Sequence, residues 1–147
     1  DSGNSTVINS TEGVLYGEFS NTENDTNDNW INLSDGTAIN WVFIGKEGAN
    51  VRAYLRANNL TLLSNQTTPL ASINRVALSY KSGNIKVYIN GVQIISLTDA
   101  FSFTAPLNKL NFGDYNGGAT TTKASWKSVQ VYTTALSDAE LTTLTTI

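Results

Sequence analysis

The chain contains no cysteine, no histidine and no methionine, and only two prolines. Without cysteine the fold cannot use disulfides, so its stability must come from burial of apolar surface. Without histidine the chain lacks the commonest general base and the commonest metal-ligating side chain. These absences exclude Ser-His and Cys-His nucleophilic triads and histidine-ligated zinc.

Charged residues are also scarce: they make up 14% of the 147 residues, and the formal net charge is −3. The nine lysines and arginines are scattered, whereas a nucleic-acid surface needs them clustered. No apolar run approaches the roughly 18 residues of a membrane-spanning helix. We therefore expect neither nucleic-acid binding nor membrane insertion.

Because the chain starts at Asp1 without an initiator methionine, we expect it to be an excised or processed piece of a longer protein.

Short segments in which apolar and polar residues alternate recur along the whole chain, and residues that favour turns separate them. Ten strands are predicted, at 13–20, 29–34, 38–45, 50–57, 60–65, 73–80, 85–90, 92–97, 107–112 and 125–132. No helical pattern long enough for a βαβ crossover lies between any two of them. The sequence thus predicts one all-β domain over residues 1–147, an antiparallel sandwich of the size that supports a single core.

The segment NIKVYINGVQIIS, residues 84–96, predicts a β-hairpin. Ile85, Val87 and Ile89 fall on one face of its first strand, as a strand with one buried side requires. Asn90-Gly91 tolerates the positive φ angles of a type I′ turn, so the chain can reverse there at once. Ser82-Gly83 predicts the turn that precedes this hairpin.

The end of the chain predicts a short helix. Ser137, followed three residues later by Glu140, forms a capping box, so we place the helix at residues 137–143. We expect it to close one end of the domain and to pack on the sandwich through three leucines, Leu136, Leu141 and Leu144.

Two motifs carry a family resemblance: VYINGV at residues 87–92 and VQVYTTALSDAEL at residues 129–141. With them the chain resembles the laminin-G-like branch of the concanavalin A-like lectin/glucanase superfamily. Together with LYGEFS, INLSDGT and the NRVALSYKSG segment, it resembles such modules in bacteriophage virion and tail proteins. The resemblance implies a two-sheet jelly roll with a concave face and rim loops. It does not imply an activity, because the superfamily includes lectins, adhesion domains, carbohydrate-binding modules, hydrolases and lyases.

Catalysis is not expected. Glycoside hydrolysis needs two carboxyl groups about 5–9.5 Å apart, which neighbours at i and i+2 on a strand can provide. The acidic pairs at that spacing are Glu23 with Asp25 in a polar loop, and Asp138 with Glu140 in the predicted helix, where the cap explains them. The lyases of the superfamily generally combine tyrosine with histidine or arginine, and this chain has no histidine.

A calcium site is a candidate in the stretch NTENDTNDN, residues 21–29. Asp25 and Asp28, with asparagines around them, supply the hard oxygen ligands that calcium takes. The other interpretation is a solvated polar loop. We favour the loop because no EF-hand spacing is present, and calcium stays a candidate cofactor.

Aromatic side chains are the natural platforms for sugars, because a pyranose presents an apolar C–H face. Most aromatic residues here are expected to pack in the core or on a sheet face. Tyr115 differs, because it lies between Asp114 and Asn116 in the glycine-rich segment FGDYNGG, which no core pattern explains. The alternative is an ordinary turn, since the segment is rich in turn-forming residues.

Three further residues complete the predicted ligand-binding set. Arg52 and Tyr54 share one face of a strand, and Trp30 borders the Asp-rich loop.

We interpret the protein as a non-catalytic carbohydrate-binding or adhesion module that recognises cell-surface glycan. We expect it to belong to a phage virion or tail protein and to be extracellular or on the virion surface. Two alternatives stay open. One is a structural or decoration domain that contacts other virion subunits and binds no sugar, and the other is a carbohydrate-binding module appended to a secreted bacterial enzyme.

Overall fold

The computed structural model describes residues 7–20, 28–113 and 125–147. The described part contains ten strands and one helix. Their bounds are β1 Glu12–Ser20, β2 Asn29–Ser34, β3 Trp41–Glu47, β4 Asn50–Ala57, β5 Leu60–Pro69, β6 Ile73–Lys81, β7 Ile85–Ile89, β8 Val92–Leu97, β9 Lys109–Phe112, β10 Ser125–Tyr132 and α1 Asp138–Thr145. Every predicted strand is present, and the largest difference is that β5 continues to Pro69.

The strands form two antiparallel five-stranded sheets. The first has the order β10-β1-β6-β7-β8 and carries α1, and we call it the helix-bearing sheet. The second has the order β5-β4-β3-β2-β9, and we call it the aromatic sheet. The prediction of an all-β, antiparallel two-sheet jelly-roll sandwich with a short C-terminal helix is therefore confirmed.

The main core lies between the two sheets and is built from alternate residues of each strand. Strand β4 shows the rule most clearly, because its buried and half-exposed residues alternate along its whole length. Fully buried core residues from both sheets include Leu15, Ile31, Leu33, Val42, Ile44, Leu55, Leu78, Ile85 and Val87. Because successive side chains of a strand point to opposite faces, burial of this set turns the intervening residues outward.

The predicted hairpin turn is confirmed. Asn90 and Gly91 both have positive φ, 50° and 81°, as a type I′ turn requires. The Oδ1 of Asn90 accepts a hydrogen bond from the backbone N–H of Arg75 at 2.8 Å, which ties the turn to β6. At the preceding turn Gly83 has a φ of 78°.

Helix α1 has the predicted capping box: the N–H of Glu140 donates to Ser137 Oγ, and the N–H of Ser137 donates to Glu140 Oε2 at 2.8 Å.

The expectation that this helix closes an end of the domain is wrong. It covers the outer face of the helix-bearing sheet, because that face carries apolar side chains that must leave water. The cluster contains Val14, Tyr16, Ala77, Tyr88 and Leu141, with Leu136, Leu144 and Tyr132 packed against it. Within the described ranges, no helix has the length and apolarity needed to span a membrane.

Candidate functional site

The outer face of the aromatic sheet carries a group of aromatic side chains from three adjacent strands. Strand β3 pairs with β2 on one side and with β4 on the other. In this register Phe43 lies opposite Tyr54, and Trp41 lies opposite Arg56. We call the surface formed by the following six residues the aromatic face: Trp30, Trp41, Phe43, Arg52, Tyr54 and Arg56.

Phe43 is the centre of the aromatic face. Its ring centroid is 5.2 Å from Trp30, 4.7 Å from Trp41 and 4.9 Å from Tyr54, and it stacks on Tyr54 with an interplanar angle of 13°. Phe43 is only 4% exposed, whereas the three rings around it are half-buried. Phe43 therefore supports three rings that each keep part of their surface accessible.

Arg52 holds one end of the aromatic face in place. Its guanidinium carbon lies 5.6 Å from the centroid of the Tyr54 ring. Its Nη1 donates to Gln66 Oε1 at 2.9 Å, and its Nε is 3.0 Å from Glu47 Oε2. The charge of Arg52 is thus balanced by a carboxylate, and its guanidinium lies over the Tyr54 ring.

Side-chain hydrogen bonds also hold Tyr54 and Arg56. The hydroxyl of Tyr54 hydrogen-bonds Thr61 Oγ1 at 2.7 Å, and Nη2 of Arg56 donates to Asn59 Oδ1 at 2.5 Å. The Nε of Arg56 and the Nε1 of Trp30 are buried atoms that have no hydrogen-bond partner among the described residues. Because both atoms are fully buried, a ligand oxygen could reach them only if the surrounding side chains moved.

Polar side chains continue the surface towards β9. Asn111 Nδ2 donates to Asn32 Oδ1 at 3.3 Å and to Ser34 Oγ at 3.2 Å. Asn32 Nδ2 in turn donates to the carbonyl of Gly113 at 2.7 Å, and the N–H of Gly113 donates to the carbonyl of Trp30 at 2.8 Å. These bonds hold Gly113 beside the aromatic face.

The structure brings together three of the predicted ligand-binding residues, Trp30, Arg52 and Tyr54, on one face. The other three, Asp114, Tyr115 and Asn116, lie outside the described residues. Their participation in a site stays a prediction.

The structure describes one of the two predicted calcium ligands, Asp28. Asp28 Oδ1 accepts a hydrogen bond from the N–H of Gly48 at 3.1 Å, across to the turn between β3 and β4. Asp25 lies outside the described residues. In residues 7–20, 28–113 and 125–147, no three His, Cys, Asp or Glu side chains are grouped so that they could hold a metal ion. Calcium binding remains a prediction that needs Asp25.

The ligand-binding set predicted from the sequence does not include Arg56, Trp41 or Phe43. A signal for Arg56 exists, because the alternation in NVRAYLRA puts it on the same face as Arg52 and Tyr54. No comparable signal places Trp41 beside Arg56, since that contact depends on the register between β3 and β4.

Several carboxylates outside the aromatic sheet are committed to structural bonds. Lys127 and Arg75 hold the pKa of Glu18 below its ordinary value, and the bond to Lys86 does the same for the pKa of Asp138. The cap at Ser137 lowers the pKa of Glu140. These groups stabilise strands and helix ends, and none of them lies on the aromatic face.

Comparison with known proteins identifies a family. A family model described as the Concanavalin A-like lectin/glucanases superfamily matches residues 5–142. No curated protein sequence matches the chain.

The CBM40 of an IT-sialidase from Ruminococcus gnavus has a similar structure. It is 23% identical with a TM-score of 0.76, and the match covers 97% of this chain and 86% of that chain. The same CBM40 bound to α2,3 sialyllactose is 25% identical with a TM-score of 0.75, at the same 97% and 86% coverage. Domain 4 of AbnA, a GH43 extracellular arabinanase from Geobacillus stearothermophilus, in complex with arabinotriose, is 19% identical with a TM-score of 0.65, covering 95% of this chain and 68% of that domain.

Proposed function

The chain belongs to the concanavalin A-like lectin/glucanases superfamily, and from this we propose that it is a non-catalytic carbohydrate-binding module whose glycan site is the aromatic face. One observation carries the proposal: Trp30, Trp41 and Tyr54 surround a buried Phe43 and stay partly accessible on the outside of a sheet. Because these rings lie on the outer face of the sheet, they do not pack in the core between the sheets. They suit stacking against the apolar face of a sugar.

The polar groups around the rings match the rest of a sugar. Hydroxyl groups need hydrogen-bond donors and acceptors, and the aromatic face offers the hydroxyl of Tyr54 and the guanidinium of Arg56. A shallow site of this kind gains little free energy for each module. Repetition of the module on one particle or polymer would raise the overall avidity.

We also propose that the protein is not catalytic, and the acidic residues of the aromatic sheet support this. Glu47 is the one acidic residue within the five strands of the aromatic sheet, and it is ion-paired with Arg52. A glycoside hydrolase needs two carboxyl groups, one of which must give up a proton. We therefore expect the purified domain to release no product from polysaccharides.

The biological setting that the relatives favour is a module appended to a secreted bacterial enzyme. The similar structures are a CBM40 of an IT-sialidase and a domain of an extracellular arabinanase. An extracellular location follows from this proposal. A place on a phage virion or tail protein, with other virion subunits as partners, rests on the sequence resemblance and stays a prediction.

We retain Asp114, Tyr115 and Asn116 as predicted ligand residues. Gly113 precedes them directly, and its hydrogen bonds to Trp30 and Asn32 hold it at the border of the aromatic face. A ligand on the rings could therefore be met by residues that follow Gly113.

The test is a glycan array, read with and without a calcium chelator, followed by calorimetry on the best glycan. Tyr54→Ala should weaken binding by about 1–3 kcal/mol, the scale of a lost stacking side chain with its buried area. Tyr132→Ala is the matched control: it removes a half-buried tyrosine under α1, so it should lower stability and leave affinity unchanged. Wild-type affinity in a folded Tyr54→Ala variant would place the site elsewhere, and an array without any bound glycan would favour the structural role.

A further inference from the structure

The strands of the aromatic sheet carry a net positive charge although the whole chain has a net charge of −3. Its five strands contain four basic residues and one acidic residue, Glu47. Lys46 is buried, whereas Arg52, Arg56 and Lys109 lie on the outer side, because they pair in register with outward-facing positions. The surface that we propose for glycan binding is therefore cationic.

These outer cations are not equivalent. Glu47 forms an ion pair with Arg52, and Gln66 takes another of its donors. Arg56 forms no ion pair with a carboxylate of the described residues. The side-chain hydrogen bond that Arg56 makes within the described residues goes to a neutral acceptor, the amide oxygen of Asn59. Glu47 thus neutralises the charge of Arg52, whereas no carboxylate of the described residues neutralises that of Arg56.

The guanidinium of Arg56 is suited to an anion. A guanidinium has five N–H donors in a planar fork that matches the two oxygens of a carboxylate. Because Arg56 is half-buried, solvent screens its charge less than on an open surface, and a carboxylate there gains more.

Arg56 also lies where a bound sugar would present a substituent. It is directly opposite Trp41 in register, and the Trp41 ring is 5.3 Å from the Tyr54 ring. Side chains opposite each other on neighbouring strands have Cβ atoms about 5 Å apart. A sugar stacked on Trp41 or Tyr54 would therefore bring an acidic substituent within reach of the guanidinium.

From these observations we infer that the aromatic face selects saccharides bearing a carboxylate, and that Arg56 binds the carboxylate while Trp41 and Tyr54 contact the sugar ring. This inference rests on the proposed function and names the class of glycan. It assigns separate roles to two arginines of one strand: Arg56 contacts the ligand, and Arg52 positions Tyr54.

The experiment compares each of two acidic saccharides, 3′-sialyllactose and trigalacturonate, with its carboxyl methyl ester, by calorimetry on the whole chain. At least one free acid should bind about tenfold or more tightly than its ester, since hydrogen bonds to charged groups contribute at that level. In Arg56→Gln the acid-to-ester affinity ratio should fall towards one. Arg56→Lys keeps the charge without the fork and should give an intermediate ratio. Lys81→Gln, which removes a cation of the other sheet, should keep the wild-type ratio.

The outcomes separate this inference from the proposed function. Binding of esters and of neutral glycans as tightly as free acids would overturn the carboxylate preference and leave glycan binding intact. A wild-type ratio in folded Arg56→Gln would overturn the role of Arg56. Binding to sulfated saccharides in place of carboxylated ones would contradict the carboxylate assignment. If no saccharide binds at all, the proposed function itself fails.

Discussion

Trp41 and Phe43 are two residues apart on the same side of β3, yet their environments differ. Phe43 has rings on three sides and is almost completely buried, whereas Trp41 is half-buried. Aromatic rings at these separations attract each other with about 0.5–1.5 kcal/mol beyond the area they bury. Phe43 therefore holds its neighbours in position, and Trp41 and Tyr54 remain accessible to a ligand.

Glu18 illustrates a residue whose charge serves stability. Its two carboxylate oxygens lie 2.9 Å from Arg75 Nε and 3.1 Å from Lys127 Nζ, and the residue is 6% exposed. Arg75 also donates to the carbonyl of Thr146, after the end of α1. Glu18 thus links strands β1, β6 and β10 and, through Arg75, the C-terminal end of the helix.

The first prediction concerns the pH dependence of this contribution. Lys127 and Arg75 lower the pKa of Glu18 from its ordinary value of 4.5, so its stabilising effect is complete above pH 4.5 and is lost as the pH falls through the lowered pKa. Glu18→Gln should be less stable than the wild type at pH 7. The difference in the free energy of unfolding should shrink steadily below pH 4.5. Urea denaturation between pH 7 and pH 3 measures it, with the exposed Asp99→Asn as control, and a difference that stays constant would contradict the prediction.

At the scale of elements, residues a few positions apart explain where the hairpin turns, where the helix begins and which face of a strand is buried. The β7–β8 hairpin turns at two positive-φ residues, and α1 starts at a residue that can cap it. Strand β4 alternates buried and half-exposed residues because its sequence alternates apolar with polar or aromatic side chains. Each of these elements is specified by residues within a few positions of each other.

The second prediction concerns the Asn90-Gly91 turn. Replacing both residues by valine should destabilise the protein by about 2–4 kcal/mol, because β-branched residues resist positive φ at both positions. The change also removes the bonds from Asn90 to the backbone of Arg75 and Ile73. Thermal unfolding measures the loss. Gly83→Ala is the control: its φ is also positive but the space around it is open, so it should cost only about 1 kcal/mol. Equal losses in the two variants would mean that the Asn90-Gly91 turn has no special role.

At the scale of the whole molecule, the two sheets share one core but present different outer faces. On the helix-bearing sheet, α1 covers a cluster of outward apolar side chains. On the aromatic sheet they are rings and arginines that remain half-exposed. Stability therefore depends on both sheets, whereas we assign glycan recognition to one of them.

The third prediction follows from this division. Titration of the isotope-labelled chain with a bound glycan should shift the backbone amide resonances of β2, β3 and β4, and leave those of α1 nearly unchanged. Because the outer faces are on opposite sides of the core, only a ligand on the aromatic sheet produces this pattern. Shifts concentrated in the groove formed by Tyr132, Leu136 and Leu144 would instead place the ligand beside the helix.

The sequence by itself determined the strands, the hairpin turn, the helix cap and the family resemblance. It also put Arg52 and Tyr54 on one face of β4, and it identified Trp30 as a candidate. These features follow from alternation, turn residues and caps, which act over a few neighbouring residues.

Only the tertiary structure decided which strands are neighbours and in what register. It put Trp41 opposite Arg56, gathered three rings around Phe43, and laid α1 over the outer face of the other sheet instead of at an end of the domain. Register between strands is set by the burial of whole faces, and a slip of one residue would turn every side chain of a strand to the other side. Local propensity does not contain that information, because the burial of each strand depends on residues far away in the chain.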